Sequence, residues 1–241
     1  MKKIATIIFV GVFASSLIFS GCLSKPKTTV ESTAKESNTS SQTTVKKAVE
    51  SSSSLDEMEN NVIVKAVATE SGQVCALITN NNKVRVDEMK VEVVFYDSDN
   101  KPVGTDSDGH DVVLPGATVV SEFDLPDKYD HFEANITVED EHYSSYENHS
   151  DKIEISQNII DGGVIAQVTN NDTVKIDEIE IIAVFYRGDT IVGVSHSEDI
   201  SDLRSGKTET IELKCYSQKS LKNILFDKAE IFINQAHTFG L

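Results

Sequence analysis

The densest run of ligand-type oxygens in the chain is DSDNKPVGTDSDGHD, residues 97–111. Calcium takes six to eight oxygens, and a helix–loop–helix calcium site needs Gly at its sixth position and Glu at its twelfth. Counted from Asp97, those positions hold Pro102 and Asp108. The segment therefore reads as a turn and an exposed hairpin. Any calcium site in it is a weak, irregular one drawn from Asp97, Asp99, Asp106 and Asp108. Two acid pairs recur, Asp87-Glu88 and Asp177-Glu178. Adjacent strand residues point to opposite faces, so these pairs read as structural. The histidines (His110, His131, His142, His149, His196 and His237) lack the HExxH spacing of a zinc site. His142 and His149 flank EHYSSYENHS and read as solvated linker. No nucleophile elbow or phosphate loop occurs. No catalytic residue, cofactor or resident metal is assigned, and the chain is expected not to be an enzyme. Cys75 and Cys215 align with Ile165 and Leu125, apolar residues of the other half of the chain. They are expected to be buried free thiols behaving as small hydrophobes.

One further cysteine has a different setting. MKKIATIIFVGVFASSLIFSGC begins with Lys2 and Lys3, continues in an apolar run from Ile4 to Phe19, and closes on Ser20-Gly21-Cys22. That is the layout of a bacterial secretion signal with small residues at the cut. The cysteine directly after the small pair resembles the lipobox of bacterial lipoproteins, with Phe19 where Leu is usual. The resemblance implies that Cys22 carries the lipid (palmitate-type acyl chains) and becomes the new N-terminus. An uncleaved membrane helix is the competing reading; the apolar run is near the shortest that spans a bilayer. Both place the remainder outside the cytoplasm on a membrane. Two acyl chains anchor far more firmly than one.

Residues 22–57 are rich in Ser and Thr and hold no aromatic residue. Such a composition cannot bury enough apolar surface to offset ordering entropy, so a disordered stalk is expected, with a typical span of about 30–35 Å. The formal charge is −17, and the stalk is balanced, so the acidic excess sits in the folded part. That charge repels phosphate backbones and excludes nucleic acid as a partner class.

The folded part is an internal repeat. GQVCALITNNNKVRVDEMKVEVVFY from Gly72 aligns without a gap on GGVIAQVTNNDTVKIDEIEIIAVFY from Gly162. Short apolar runs bounded by Asn, Asp, Gly and Pro turns predict β-strands in both copies. Glu70-Ser71-Gly72 and Asp161-Gly162-Gly163 are hairpin signals. Val91–Tyr96 and Ile181–Tyr186 read as central strands covered on both faces. Ser217–Phe226 is the one place where a helical turn is expected. The expected architecture is all-β, two tandem immunoglobulin-like β-sandwich domains. The segments are a signal peptide over 1–21, lipidated Cys and stalk over 22–57, repeat 1 over 58–140, a linker over 141–150 and repeat 2 over 151–241.

The strand from Val74 to Asn80, the run Val91 to Tyr96, Val103-Gly104 and Pro115-Gly116 resemble FxLYD-type domains. Val164 to Asn170, Ile181 to Tyr186 and Val192-Gly193 repeat the pattern, and neither copy contains the F-x-L-Y-D string itself. The resemblance implies an immunoglobulin-like fold and an envelope location, with no catalytic residues. The functional expectation is a membrane-anchored, extracytoplasmic, non-catalytic lipoprotein. Its domains would serve as an interaction or adhesion module for an envelope protein partner. The alternatives are a solute- or calcium-binding lipoprotein and a passive structural spacer.

Overall fold

The computed structural model describes residues 55–139, 146–197 and 199–239. Cys22, the signal, residues 23–54 of the stalk and His142 lie outside these. The described chain is almost entirely antiparallel β-structure, preceded by a helical turn over residues 55–60. β1 (Val62–Ala68), β2 (Gln73–Asn80) and β5 (Thr118–Asp124) form one sheet in the order β1-β2-β5. β3 (Val86–Tyr96), β4 (Pro102–Val113) and β6 (His131–Glu139) form a second in the order β4-β3-β6. The second repeat has β8 (Ile153–Ile160), β9 (Gly163–Asn170) and β13 (Thr208–Lys214) in the order β13-β9-β8. Its other sheet runs β11-β10-β14-β7, from β7 (Tyr146–Asn148), β10 (Ile176–Arg187), β11 (Thr190–His196) and β14 (Lys228–Phe239). β12 (Ile200–Leu203) pairs with β10.

Three apolar clusters separate four sheet layers. Val74, Ala76 and Ile78 on one face of β2 meet Met89, Val91, Val93 and Phe95 of β3. Ala166, Val168 and Leu213 meet Ile179, Ile181, Ala183 and Phe185 of β10. The third cluster lies between the repeats: Cys75 and Val120 pack with Ile182, Val184, Ile191 and Val194. The period-2 pleat explains this, because Cys75 and Leu77 stand on the opposite face of β2 from the repeat's own core.

The two central strands consequently differ. β10 is buried on both faces, as expected. β3 is not: Lys90 and Glu92 are exposed on its outer face. Glu92 stands where β10 has Ile182, so only the second repeat can bury that side. The predicted hairpins form, and Gly162 takes φ +74° in the tighter one, a left-handed conformation that favours glycine. In the 217–226 loop the Leu221 N–H donates to the Ser217 carbonyl at 2.7 Å, closing a single α-turn. The stretch expected as linker is partly strand, since β7 pairs with the end of β14.

One device recurs in both repeats. Asn80 and Asn170 are fully buried. The Asn80 Nδ2 donates to the Val113 carbonyl at 2.9 Å, and the Asn170 Nδ2 to the Leu203 carbonyl at 2.9 Å. Their Oδ1 atoms accept the backbone N–H groups of Asn82 and Asp172. Each side chain thereby ties two turns together with the hydrogen bonds a buried amide requires. The first Asn of each Asn-bearing turn that follows β2 and β9 is thus a buried staple.

Candidate functional site

The four carboxylates of the 97–111 segment do not converge. Asp97 sits in the β3–β4 turn, where its Oδ1 accepts the N–H groups of Asp99 and Lys101, both at 2.9 Å. Asp99 is solvent-facing, 3.8 Å from Lys101 Nζ. Asp106 and Asp108 lie along β4, each accepting the N–H of the next residue. Asp108 also stands 3.6 Å from the buried His110 ring, whose Nε2 is 2.8 Å from Ser121 Oγ. Among the described residues no three His, Cys, Asp or Glu side chains are grouped so as to hold a metal ion.

The repeated acids serve the strands that carry them. Asp87 pairs with Arg85 at 2.8 Å and Asp177 with Lys175 at 2.5 Å, each partner two residues earlier. Asp177 also accepts the Phe239 N–H, and these bonds, with Lys175 first, hold its carboxyl below the usual carboxylate range. His149 bonds Asp172 at 2.8 Å and Thr238 at 3.1 Å; it caps the second repeat rather than lying free in a linker. His237 is buried and stacks on Tyr146 with ring centroids 5.5 Å apart. Burial, and then His149, push its pKa down.

The junction between the repeats gathers the residues best placed to act together. Val120 lies on β5, an edge of its sheet. The Asn234 Oδ1 accepts the Val120 N–H, and the Asn234 Nδ2 donates to the Val120 carbonyl, both at 2.8 Å. Asn234 is the extra residue where the β10–β14 register shifts. That bulge turns its amide toward the first repeat. Around this lock Arg187 makes a two-pronged contact with Glu70, at 2.8 and 3.2 Å. The Ser71 N–H donates to the Val192 carbonyl, and the Gln218 N–H to the Ser71 carbonyl. Glu180 sits at the same seam. Burial, followed by Asp108 and Asp199, raises its pKa.

One groove opens at this seam, about 210 Å³ in volume, lined by Gln73, Glu122, Val194, Ser195, His196, Tyr216 and Gln218. His196 Nδ1 is 2.5 Å from Glu122 Oε1 across it. The groove is smaller than the pockets that enclose drug-sized ligands. Its polar side chains bridge the two repeats. Ser195 and His196 are successive residues of β11 and so point to opposite faces, and do not form a nucleophile–base pair. The two described thiols, Cys75 and Cys215, are free and buried, and burial pushes each up to about 12. At neutral pH they are protonated and unreactive.

Sequence reasoning missed Asn234 and Glu122, and read His196 only as one of the scattered histidines. Nothing in the repeat flags them, because each acts on a surface that exists only when the two copies meet. An extra Asn within a strand pattern, one residue more than the equivalent run of the first repeat after Ile136, is the one available signal. No model of a known protein family matches the chain, and no curated protein matches it.

Proposed function

We propose that this chain is a lipid-anchored, extracytoplasmic protein of non-catalytic type whose β-sandwich repeats present an interaction or adhesion surface at the cell envelope. The observation that carries the reading is the layout of residues 1–22, a basic start, an apolar run and Ser-Gly-Cys, followed by a Ser/Thr-rich stalk. The junction supports a presenting role. Asn234, Arg187 and Gln218 are engaged in bonds between the repeats, and the thiols are buried and protonated. The folded part also has distinct ends. The start of the first repeat lies at the Asn80 turn, where the Asn81 N–H donates to the Asn61 carbonyl. The 217–226 loop contacts Ser71, Asp124 and Asp127 at the opposite end of β2. There Leu221 and Leu225 are 78% and 80% exposed. In this reading the FxLYD-type resemblance describes the fold and supplies no site.

The test is a photo-crosslinking residue placed at Leu221 or Leu225 of the full-length chain in cells. One reproducible envelope protein is expected, and its capture should disappear when the folded part is deleted and the anchor kept. Cross-linking only to the most abundant envelope proteins would count against an interaction module. Cys22→Ala should release the protein from the membrane fraction or leave it as unprocessed precursor. Correct processing and anchoring of that variant would remove the lipid assignment.

A further inference from the structure

We propose that β8 is the surface on which a second copy of this chain docks, by antiparallel edge-to-edge pairing of the two β8 strands about Gln157. β8 is an outer strand of its sheet, paired to β9 over eight residues with no bulge. Its last six residues, Ile155–Ile160, carry no charge and no proline. An edge of this kind has unpaired backbone groups and none of the features that normally prevent strand addition.

The other long outer strands are guarded: β5 carries Glu122 and Asp124, and Asn234 already bonds its edge at Val120. β1 carries Lys65, β4 carries Asp106, Asp108 and Asp111, β6 carries Glu133 and Glu139, and β13 carries Glu209, Glu212 and Lys214. β11 lacks such charges, but Ile191–Val194 are buried and the Ser71 N–H already bonds the Val192 carbonyl. The comparison within the molecule is sharpest between β1 and β8, which occupy the same place in the two repeats. Lys65 pairs with Leu77 and Ser156 pairs with Gln167, equivalent positions of β2 and β9. The lysine that guards the first repeat's edge is a serine in the second.

Charge and symmetry choose the occupant. A chain of net charge −17 opposes its own association wherever charged edges meet, and the Ile155–Ile160 stretch of β8 is uncharged. A twofold contact must bring residue i to j and j to i. The segment Ile155-Ser156-Gln157-Asn158-Ile159 reads alike in both directions by residue class. Antiparallel pairing about Gln157 sets Ile155 against the partner's Ile159, Ser156 against the partner's Asn158, and Gln157 against the partner's Gln157. The single charge, Glu154, meets the partner's Ile160. Ile155 lines a groove of about 510 Å³ between β8 and β14, with Gln157, Glu230, Ile231 and Phe232. Ile159 is 52% exposed, and the pairing covers it with the partner's Ile155. This contact is separate from the envelope partner proposed above and holds or fails independently of it.

The test is sedimentation of the full-length chain in detergent, with Ser156→Lys as the principal variant and Asn158→Lys, on the same solvent face, as the second. The wild type is expected to sediment as a dimer. Ser156→Lys should raise the dimer dissociation constant at least about tenfold, with circular dichroism and melting temperature unchanged, because Lys65 is accommodated at the equivalent place. In membranes treated with a mild thiol oxidant, which takes up the two electrons, Gln157→Cys should form a disulfide-linked dimer and Lys65→Cys should not. A wild type monomeric up to about 0.1 mM, a dimer retained by both lysine variants, or equal cross-linking at both cysteine positions would overturn the proposal.

Discussion

The Asn234 side chain does for the edge of β5 what a neighbouring strand does elsewhere, donating to and accepting from one residue. Asn234→Ala leaves the Val120 N–H and carbonyl unpaired in a buried seam. The expected loss is about 1–3 kcal/mol for each group left unsatisfied, read as a lower urea midpoint at unchanged slope. The buried histidines are expected to contribute to the acid limb of stability. Burial lowers the pKa of both His110 and His237. Above the unfolded value of about 6.5 the rings are neutral in both states. Between that value and their lower folded values, the unfolded chain binds protons that the folded chain refuses. Stability therefore falls as pH falls through that window. Glu180 has the opposite sign, since its raised pKa lets the folded state take up a proton first. His110→Gln and His237→Gln should each flatten the drop in melting temperature between about pH 7 and pH 5. An unchanged pH profile in both variants would show that these rings do not drive it.

At the scale of the element, β10 is the strand that joins the repeats. Ile179, Ile181, Ala183 and Phe185 face its own core, while Ile182 and Val184 face the first repeat. Its counterpart β3 has Glu92 where β10 has Ile182, and Lys90 and Glu92 are both exposed there. Ile182→Glu places a carboxylate in the apolar seam against Cys75 and Val120. A destabilisation of about 3–5 kcal/mol is expected, the range for an unpaired buried charge. Because Cys75 is fully buried by this contact, the variant should also let a thiol reagent reach it in the native state. Failure of Cys75 to label faster than in the wild type would show that the seam tolerates the charge without opening.

For the whole molecule, the repeat suggests two independent units, and the structure argues for coupling. Phe95 anchors one core and Phe185 the other, so Phe95→Ala and Phe185→Ala should each cost about 3–5 kcal/mol. Unfolding either repeat exposes the apolar seam and breaks the Asn234 lock. Each variant should then lower the melting of the whole, as one transition whose calorimetric and van't Hoff enthalpies agree. Two separable transitions, each moved by only one variant, would restore the picture of independent repeats.

Much of the architecture was legible from local patterns. The duplication, the hairpin at Gly162, the alternation along β2 and the all-β class follow from period and turn chemistry, which act between near neighbours in the chain. The failure of the 97–111 carboxylates to match a calcium loop was legible too, because that site is defined by fixed spacing. The expectation for β3 failed for a physical reason. An apolar run states that a face is able to be buried, and only the packing partner decides whether it is. Buried Asn80 and Asn170 were visible as turn residues, but their staples join turns about thirty residues apart. Asn234 and Glu122 were silent, and His196 stood out no more than the other histidines, because their partners belong to the other repeat. The sequence by itself determined the repeat, its strands and the uncharged run Ile155–Ile160. The tertiary structure alone decided which faces meet, since contacts between distant segments depend on the relative placement of sheets that no local pattern encodes.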